Sequence, residues 1–470
     1  MANPDPPPRR CWTTLVTRSS YIPGALLLAH SLHRHGTEYS LVLLYTPTSL
    51  SPQSIELLRV EARLNPVLRL RETTHLLPPR KVDVISTRFE DTWTKLRCFS
   101  LYDKFTINDD EKHRRPAGRV EAESNSQTLQ KGPTDEIIDR LKDEANDRPA
   151  KGAYEHVRTG FEGYDEVCYL DADMLVLRPG MDELFTDPIC ELPPTGTDGR
   201  SWVAATHACV CNLDHDPWAA EEWKRVNCAY TPLRHPEALS VATPVPSTMA
   251  LHGDSRSVPR DEIESEACPP HTHTLLNSGL FIFRPTRKLY FQILEYLATS
   301  PLVEKFAFPD QDLITEFFRD RWIPLSWKYN ALKTWRYWHG PHIGADPSQP
   351  GDQLGNESAA GPAADRDPYA PHPGVQHEAW EGMWRDEEVI NLHYIVDKPW
   401  SSSVQYLDGY SPQSGLRKIA GYLGRDGETH AWWWREWEGY VSTRRRQGED
   451  GDSAVGEISK LVADRQLPPA

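Results

Sequence analysis

The sequence predicts an α/β chain: a Rossmann-like mixed sheet flanked by helices and interrupted by long loop insertions. Three observations predict it. Strand and helix patterns alternate from Trp12 to Leu70, an apolar strand runs into two aspartates within Val167–Leu177, and polar stretches separate compact apolar blocks. Such alternation specifies a largely parallel sheet with helices packed on its faces.

WTTLVT, beginning at Trp12, reads as the first strand, and GALLLAHSLHRH (Gly24–His35) as an apolar helix stopped by Gly36, at the position after a helix that glycine favours. LVLLYT (Leu41–Thr46) is a second strand. Ser51 and Pro52 supply an N-cap and first helical position for a helix through Leu64, and Val67–Leu70 is a third strand. Crossovers between these strands are expected to be right-handed. Residues 106–160 form a charged insertion whose best local structure is a short helix around Ile137, Ile138 and Leu141. Residues 186–270 (Pro, Thr, His and Ser) and 339–380 (Gly, Pro and Ala) are read as two further insertions. Loops of that length are either disordered or cover a substrate. Between them lie LLNSGLFIFRP (Leu275–Pro285), a helix from Leu289 to Ala298, FPDQDLITEFF (Phe308–Phe318) and VINLHYIVDKPW (Val389–Trp400). The resulting division is a flexible lead (1–10), a main domain (11–400), an aromatic helical extension (401–455) and a flexible tail (456–470). Trp433, Trp437 and Tyr440 recur on one helical face, a spacing that serves core packing more often than ligand stacking.

A formal charge of −16 argues against nucleic acid or an anionic membrane as partner. The opening residues lack the apolar core of a signal peptide, and no run has the length of a spanning helix, so a cytoplasmic protein is expected. Eight cysteines are then expected as reduced thiols. Cys209-Val210-Cys211, with Cys190 and Cys228 nearby, resembles a zinc cluster, but Cys-x-Cys departs from the usual Cys-x-x-Cys spacing.

Of five Asp-x-Asp triplets, only Asp171-Ala172-Asp173 ends an apolar run. Ligands collect beyond the carboxyl ends of sheet strands, and residues i and i+2 of an extended segment share a side. The two carboxylates can therefore hold one cation. Carboxylate oxygens suit Mg²⁺ or Mn²⁺, and an imidazole shifts the preference toward Mn²⁺. His393 is the candidate, because it follows VINL as Asp171 follows VCYL and so is expected on the same rim of the sheet. Lys398 lies five residues on, and a metal with a lysine is what a diphosphate needs.

DADMLVL, NSGLFIF, PDQDLI and HYIVDKPW occur in this order, as in glycosyltransferase family 8, the family of glycogenin and galactinol synthase. TLVTRSSYIPGALLLAHSL and WTKLRCFSL also resemble that family's opening unit and its lysine-bearing helix. The resemblance implies a nucleotide-diphospho-sugar transferase fold of the GT-A type, a UDP-sugar donor, Mn²⁺ with Mg²⁺ as the alternative, and retention of anomeric configuration. By position it implies that Asp171, Asp173 and His393 ligate the metal and that Lys398 contacts the phosphates. Leu15 and Tyr21 frame the uracil, and Ala172 lies against the donor. Lys95 and Arg88 approach the diphosphate-sugar, while Asn277, Asp310 and Gln311 face the transferred sugar. The acceptor is a small molecule or carbohydrate, and a homodimer is compatible with the family.

UDP-glucose and UDP-galactose stay open, as do front-face attack and a double displacement through Asp310 or Asp312. The chain departs from the family at Arg18 (asparagine), Ala307 (aspartate) and Val396 (glycine). It also lacks a recognisable glycogen-synthase-binding tail. Two rivals remain: a degenerate sugar-nucleotide-binding scaffold, and a haloacid-dehalogenase-type phosphatase, whose pattern Leu175 does not continue.

Overall fold

The computed structural model describes residues 7–79, 82, 89, 91–102, 163–186, 192, 201–212, 219–224, 227–230, 271–338, 384–401 and 427–462. Arg88, Cys190, the helix expected around Ile137, and the insertions at 106–160 and 339–380 lie outside them.

Strand β1 (Arg10–Val16) leads through helix α1 (Ile22–Arg34) to β2 (Ser40–Tyr45), and α2 (Pro52–Leu64) leads to β3 (Leu68–Glu72). The turn chemistry works as read. The Ser51 hydroxyl accepts from the Ser54 N–H at 3.1 Å, Pro52 opens α2, and Gly36 after α1 sits at φ +80°. β4 (Glu166–Leu170) stops at Asp171, and β5 (Met174–Val176) resumes beyond the aspartates. β6 (Val203–His207), β7 (Leu276–Phe283) and β8 (Trp322–Pro324) complete a seven-stranded sheet of order β3-β2-β1-β4-β7-β6-β8. All neighbours are parallel except β7, which runs antiparallel to both β4 and β6. The expected mixed sheet flanked by helices is therefore present.

Successive residues of the central strands enter opposite cores. Leu41, Leu43, Cys168, Leu170, Leu280 and Ile282 join one, while Val42, Leu44, Val167, Tyr169, Phe281 and Phe283 join the other. The twofold pleat of an apolar strand produces this, and it requires helices on both faces. Helix α3 (Arg287–Thr299), started by the Thr286 hydroxyl, and α4 (Pro309–Phe317) cover the second face.

The expectation that His393 shares the main sheet's rim as a strand end is corrected. It lies on β10 (Asn391–His393), in a separate three-stranded sheet between β5 and β9 (Ala331–Leu332). Three residues beyond a proline-rich stretch cannot announce their partner, because pairing between strands this distant in sequence is a tertiary choice. β6 likewise falls inside the span read as an insertion at 186–270. Its sequence, VAATH, lacks the large apolar residues that mark a strand.

The aromatic extension docks on the core. Helix α5 (Gly427–Arg445) packs against α1, with Trp433 and Tyr440 fully buried and Trp433 5.4 Å from Trp400. Glu61 of α2 accepts from Tyr440 at 2.6 Å and pairs with Arg444 at 2.8 Å, all three buried. A second helix, α6 (Glu449–Ser459), overlaps the span read as a tail.

Candidate active site

The site lies where the parallel strands end and β7 begins, because an antiparallel neighbour brings its own start to that rim. Asn277-Ser278-Gly279 at the head of β7 therefore meets Asp171 at the end of β4, and the Asp171 N–H donates to the Gly279 carbonyl at 2.8 Å. Beyond Asp171 the chain turns, with Met174 N–H reaching back to the Asp171 carbonyl at 3.3 Å. The aspartates thus converge through a turn rather than along an extended strand. β5 then pairs antiparallel with β10 in the register Met174 to His393, which sets the imidazole beside both carboxylates.

His393 Nε2 lies 3.3 Å from Asp173 and 3.7 Å from Asp171, and the three ligand atoms fall within 4.8 Å of one another. The ring's orientation follows from a chain of hydrogen bonds. The Gly279 N–H donates to Asn277 Oδ1 at 2.9 Å, so that atom is an acceptor. The Asn330 group that meets it, also at 2.9 Å, is then the amide NH₂, which reaches Thr206 Oγ1 at 2.8 Å as well. Asn330 Oδ1 is left to accept from His393 Nδ1 at 3.0 Å. With its proton on Nδ1, the imidazole presents a bare Nε2 to the aspartates. Two carboxylates and an inward imidazole lone pair form a donor set for a divalent cation. Asn330, fully buried, was not foreseen, since one asparagine after WKY carries no signal.

Two glycines make this closeness feasible. A Cβ on Gly279 would lie 2.4 Å from the His393 ring, and one on Gly24 would lie 2.4 Å from the Ala172 carbonyl and 2.5 Å from Trp400. Trp400 is fixed in turn by its indole N–H on the Ser20 carbonyl at 2.7 Å.

Each aspartate also has its own lysine. Lys95, on the 3₁₀ helix Thr92–Ser100, bridges Asp171 at 2.9 Å and Asp310 at 2.5 Å, and bonds Ser278. Burial works against its charge, yet the two carboxylates outweigh burial and hold its pKa above the ordinary lysine range. Lys398 pairs with Asp173 and donates to the Tyr394 carbonyl at 2.6 Å. Burial would lift the Asp173 carboxyl, but the Lys398 ammonium holds it well below the usual carboxylate range.

Asp310, Gln311 and Asp312 open α4. Asp310 accepts from Ser278 Oγ at 2.8 Å, and Gln311 Oε1 faces the Ser278 N–H at 3.4 Å. Asp312 turns back to accept the N–H groups of Ala307 and Phe308 at 2.8 and 2.9 Å. Its side chain is thereby committed to starting the helix.

These residues line one cavity of about 530 Å³, which brings together Leu15, Tyr21, Lys95, Asp171, Ala172, Asp173, Asn277, Asp310, Gln311, His393 and Lys398. Arg88 lies outside the described residues. Lys398 Nζ is 5.9 Å from the Tyr21 ring centre. Arg18, a departure from the family pattern, also lines the cavity and pairs with Asp91 through two bonds of 3.0 and 3.1 Å. Sequence reasoning missed an aromatic part of the cavity wall, where Trp223 stacks on Phe308 at 5.6 Å and Phe89 meets Phe308 edge-on at 5.6 Å. Trp223 sits in a stretch poor in apolar residues.

No protein-family model matches the chain. It is 25% identical over 269 residues to galactinol synthase 5 of Arabidopsis thaliana, a match covering 56% of this chain and 62% of that one. It is 23% identical over 179 residues to galactinol synthase 1 of Solanum lycopersicum, covering 38% and 39%. The chain therefore spans less than two thirds of the length of these curated relatives. A solved structure of the galactosyltransferase LgtC aligns over 83% of this chain and 89% of that one, with 12% identity and a TM-score of 0.36, too slight a likeness to carry an argument. The sequence relatives and the ordered motifs agree, and the resemblance to glycosyltransferase family 8 is borne out.

Proposed function

We propose that the chain is a retaining glycosyltransferase that moves a hexose from a UDP-sugar, UDP-glucose or UDP-galactose, to an acceptor hydroxyl in the cytoplasm, with Mn²⁺ as cofactor. One observation carries the reading: two aspartates and an imidazole, its Nε2 turned inward by Asn330, sit in one cavity beside Lys398. Asp171, Asp173 and His393 would hold the ion, and the mixed oxygen and nitrogen set favours Mn²⁺ over Mg²⁺. A bound divalent cation neutralises charge growing on the leaving diphosphate, a Lewis-acid contribution of several kcal/mol.

The chain's own residues do the rest. Lys398, already at the metal-ligating carboxylate, offers its ammonium where the diphosphate would lie. Leu15 and Tyr21 would bracket the uracil, with Ala172 against the donor. Lys95 holds Asp171 and Asp310 side by side, which fixes a metal ligand relative to a sugar-reading carboxylate. Asn277, Asp310 and Gln311 would read the sugar hydroxyls, and Arg88 belongs to the same proposal on the diphosphate side. The aromatic wall of Trp223 and Phe308 suits an acceptor that is itself a ring.

The state of the α4 carboxylates favours front-face attack. Asp312 is occupied by two backbone N–H groups and Asp310 by Lys95 and Ser278, so neither is disposed as the nucleophile of a double displacement. The imidazole in the ligand set also favours this reading over the phosphatase. Replacing Asp173 by Asn tests it: Mn²⁺-dependent turnover of the donor should be lost while the thermal unfolding transition is retained. Unchanged turnover would contradict the metal assignment.

A further inference from the structure

The cavity wall contains a second cluster of metal-binding groups. β6 ends at His207, and the Ala208 N–H bonds the Leu275 carbonyl at 2.9 Å, which directs Cys209-Val210-Cys211 along the wall. Cys228 comes alongside, its Sγ 3.9 Å from Cys209 Sγ, and all three sulfurs lie within 4.8 Å of one another. Val210, Cys211 and Cys228 are buried together, with Trp223, Tyr230 and Leu275 packed around them.

Sulfurs bonded about 2.3 Å from one tetrahedral zinc stand roughly 3.8 Å apart. A disulfide would need about 2.05 Å. The spacing of Cys209 and Cys228 therefore matches shared ligation and not a covalent link. His273 lies outside that three-sulfur group but neighbours it. His273 lies on the 3₁₀ turn His271–Thr274, and that turn is tied to the residue before Cys228 by Thr272 Oγ1 on the Asn227 carbonyl at 2.6 Å. The His273 ring is hydrogen-bonded to the Asn227 backbone and coupled electrostatically to Cys228, while its Nε2 is buried without a hydrogen-bond partner. One ring nitrogen on a backbone carbonyl and the other bare is the arrangement of a metal-bound histidine.

We infer that Cys209, Cys211 and Cys228 form a structural zinc site on the wall of the cavity, with the neighbouring His273 imidazole drawn in as fourth ligand when the ion binds. Binding releases three thiol protons to solvent and leaves three thiolates on the ion, with no change of oxidation state. With His273 drawn in, four protein ligands would leave no open position, and the site would hold structure rather than catalyse. It would clamp the exit of β6 to the segment carrying Trp223, whose ring stacks on Phe308. The sequence already set Cys228 near Cys209-Val210-Cys211 but discounted a zinc cluster for its Cys-x-Cys spacing, and His273 carried no signal because its approach is made by the fold. Thiolates select a softer ion than the oxygen-rich aspartate site does, so the two sites would load independently.

The test is metal analysis of the full chain, purified under reducing conditions without added metal. About one zinc per chain is expected, unchanged in Asp173→Asn and lost in Cys228→Ser. An organomercurial titration of the unaltered protein covers the case in which Cys228→Ser fails to fold, and zinc should leave as three thiols react. Cobalt replacement should add a thiolate-to-cobalt charge-transfer band and the visible spectrum of a tetrahedral site. Absence of stoichiometric zinc would overturn the inference. So would zinc lost in Asp173→Asn but kept in Cys228→Ser, or a Cys209–Cys228 disulfide found in the unreduced protein by mass spectrometry.

Discussion

Asn330 is the residue on which the geometry of the proposed metal site turns, and Asn330→Ala is the sharpest perturbation of it. The change removes the acceptor that holds the proton on His393 Nδ1, and with it the bonds to Asn277 and Thr206. Thr206, Asn330 and His393 are buried while Asn277 faces the cavity, so each polar group abandoned among the buried ones costs about 1–3 kcal/mol of stability. The more specific effect is on the ion. Freed to rotate or change tautomer, His393 no longer offers Nε2 consistently, and loss of such an orienting partner lowers metal affinity about 10- to 100-fold. That range corresponds to about 1.4–2.7 kcal/mol of binding free energy. Titration of Mn²⁺ into the folded variant by calorimetry or electron paramagnetic resonance measures it directly. Asn330→Asp, which keeps an acceptor on Nδ1, should stay within a few-fold of the unaltered chain. Equal Mn²⁺ affinity in Asn330→Ala would refute the reasoning.

Two further perturbations probe the surroundings of the site. Val396, between His393 and Lys398, sits at φ +61°, where a β-branched residue is strained by roughly 1–2 kcal/mol. Val396→Gly relieves this at a chain-entropy cost of about 0.5–1 kcal/mol, so denaturant unfolding should show a gain of up to about 1 kcal/mol; a loss of that size would contradict the strain. His430 is buried, and Lys333 donates to its Nε2 at 3.2 Å. Burial first, then Lys333 and Lys398, lower its pKa from 6.5 to about 2. The folded chain therefore refuses a proton that the unfolded chain accepts below pH 6.5, and stability is lost as pH falls. Between pH 6.5 and 4.5 the loss is about 2 kcal/mol. In His430→Gln the acid slope of unfolding free energy should be shallower by about that amount, and an unchanged slope would count against a neutral His430.

How much of this was legible depended on how local the signal was. β1 to β3 with α1 and α2 could be read because Gly36, Ser51 and Pro52 punctuate strong apolar periodicity. Asp171 was conspicuous because an apolar run stops there. β10 and the aspartates meet through an antiparallel pairing of two three-residue strands, which no local pattern encodes. Asn330, Trp223 and His273 acquire meaning only from neighbours that the fold supplies. The Val396 departure was visible as a missing glycine, and the positive φ at that position is its physical counterpart. The stripe on α5 was visible too, but its anchor, the buried pairing of Arg444 with Glu61, spans most of the chain.

The most direct test of the central claim is UDP release by the purified chain from a panel of UDP-sugars, with and without Mn²⁺, first with water and then with carbohydrate or polyol acceptors. The account predicts slow Mn²⁺-dependent release from UDP-glucose or UDP-galactose, faster once the right acceptor is present. No release from any donor, together with no Mn²⁺-dependent UDP binding, would contradict it and leave a sugar-nucleotide site in form only.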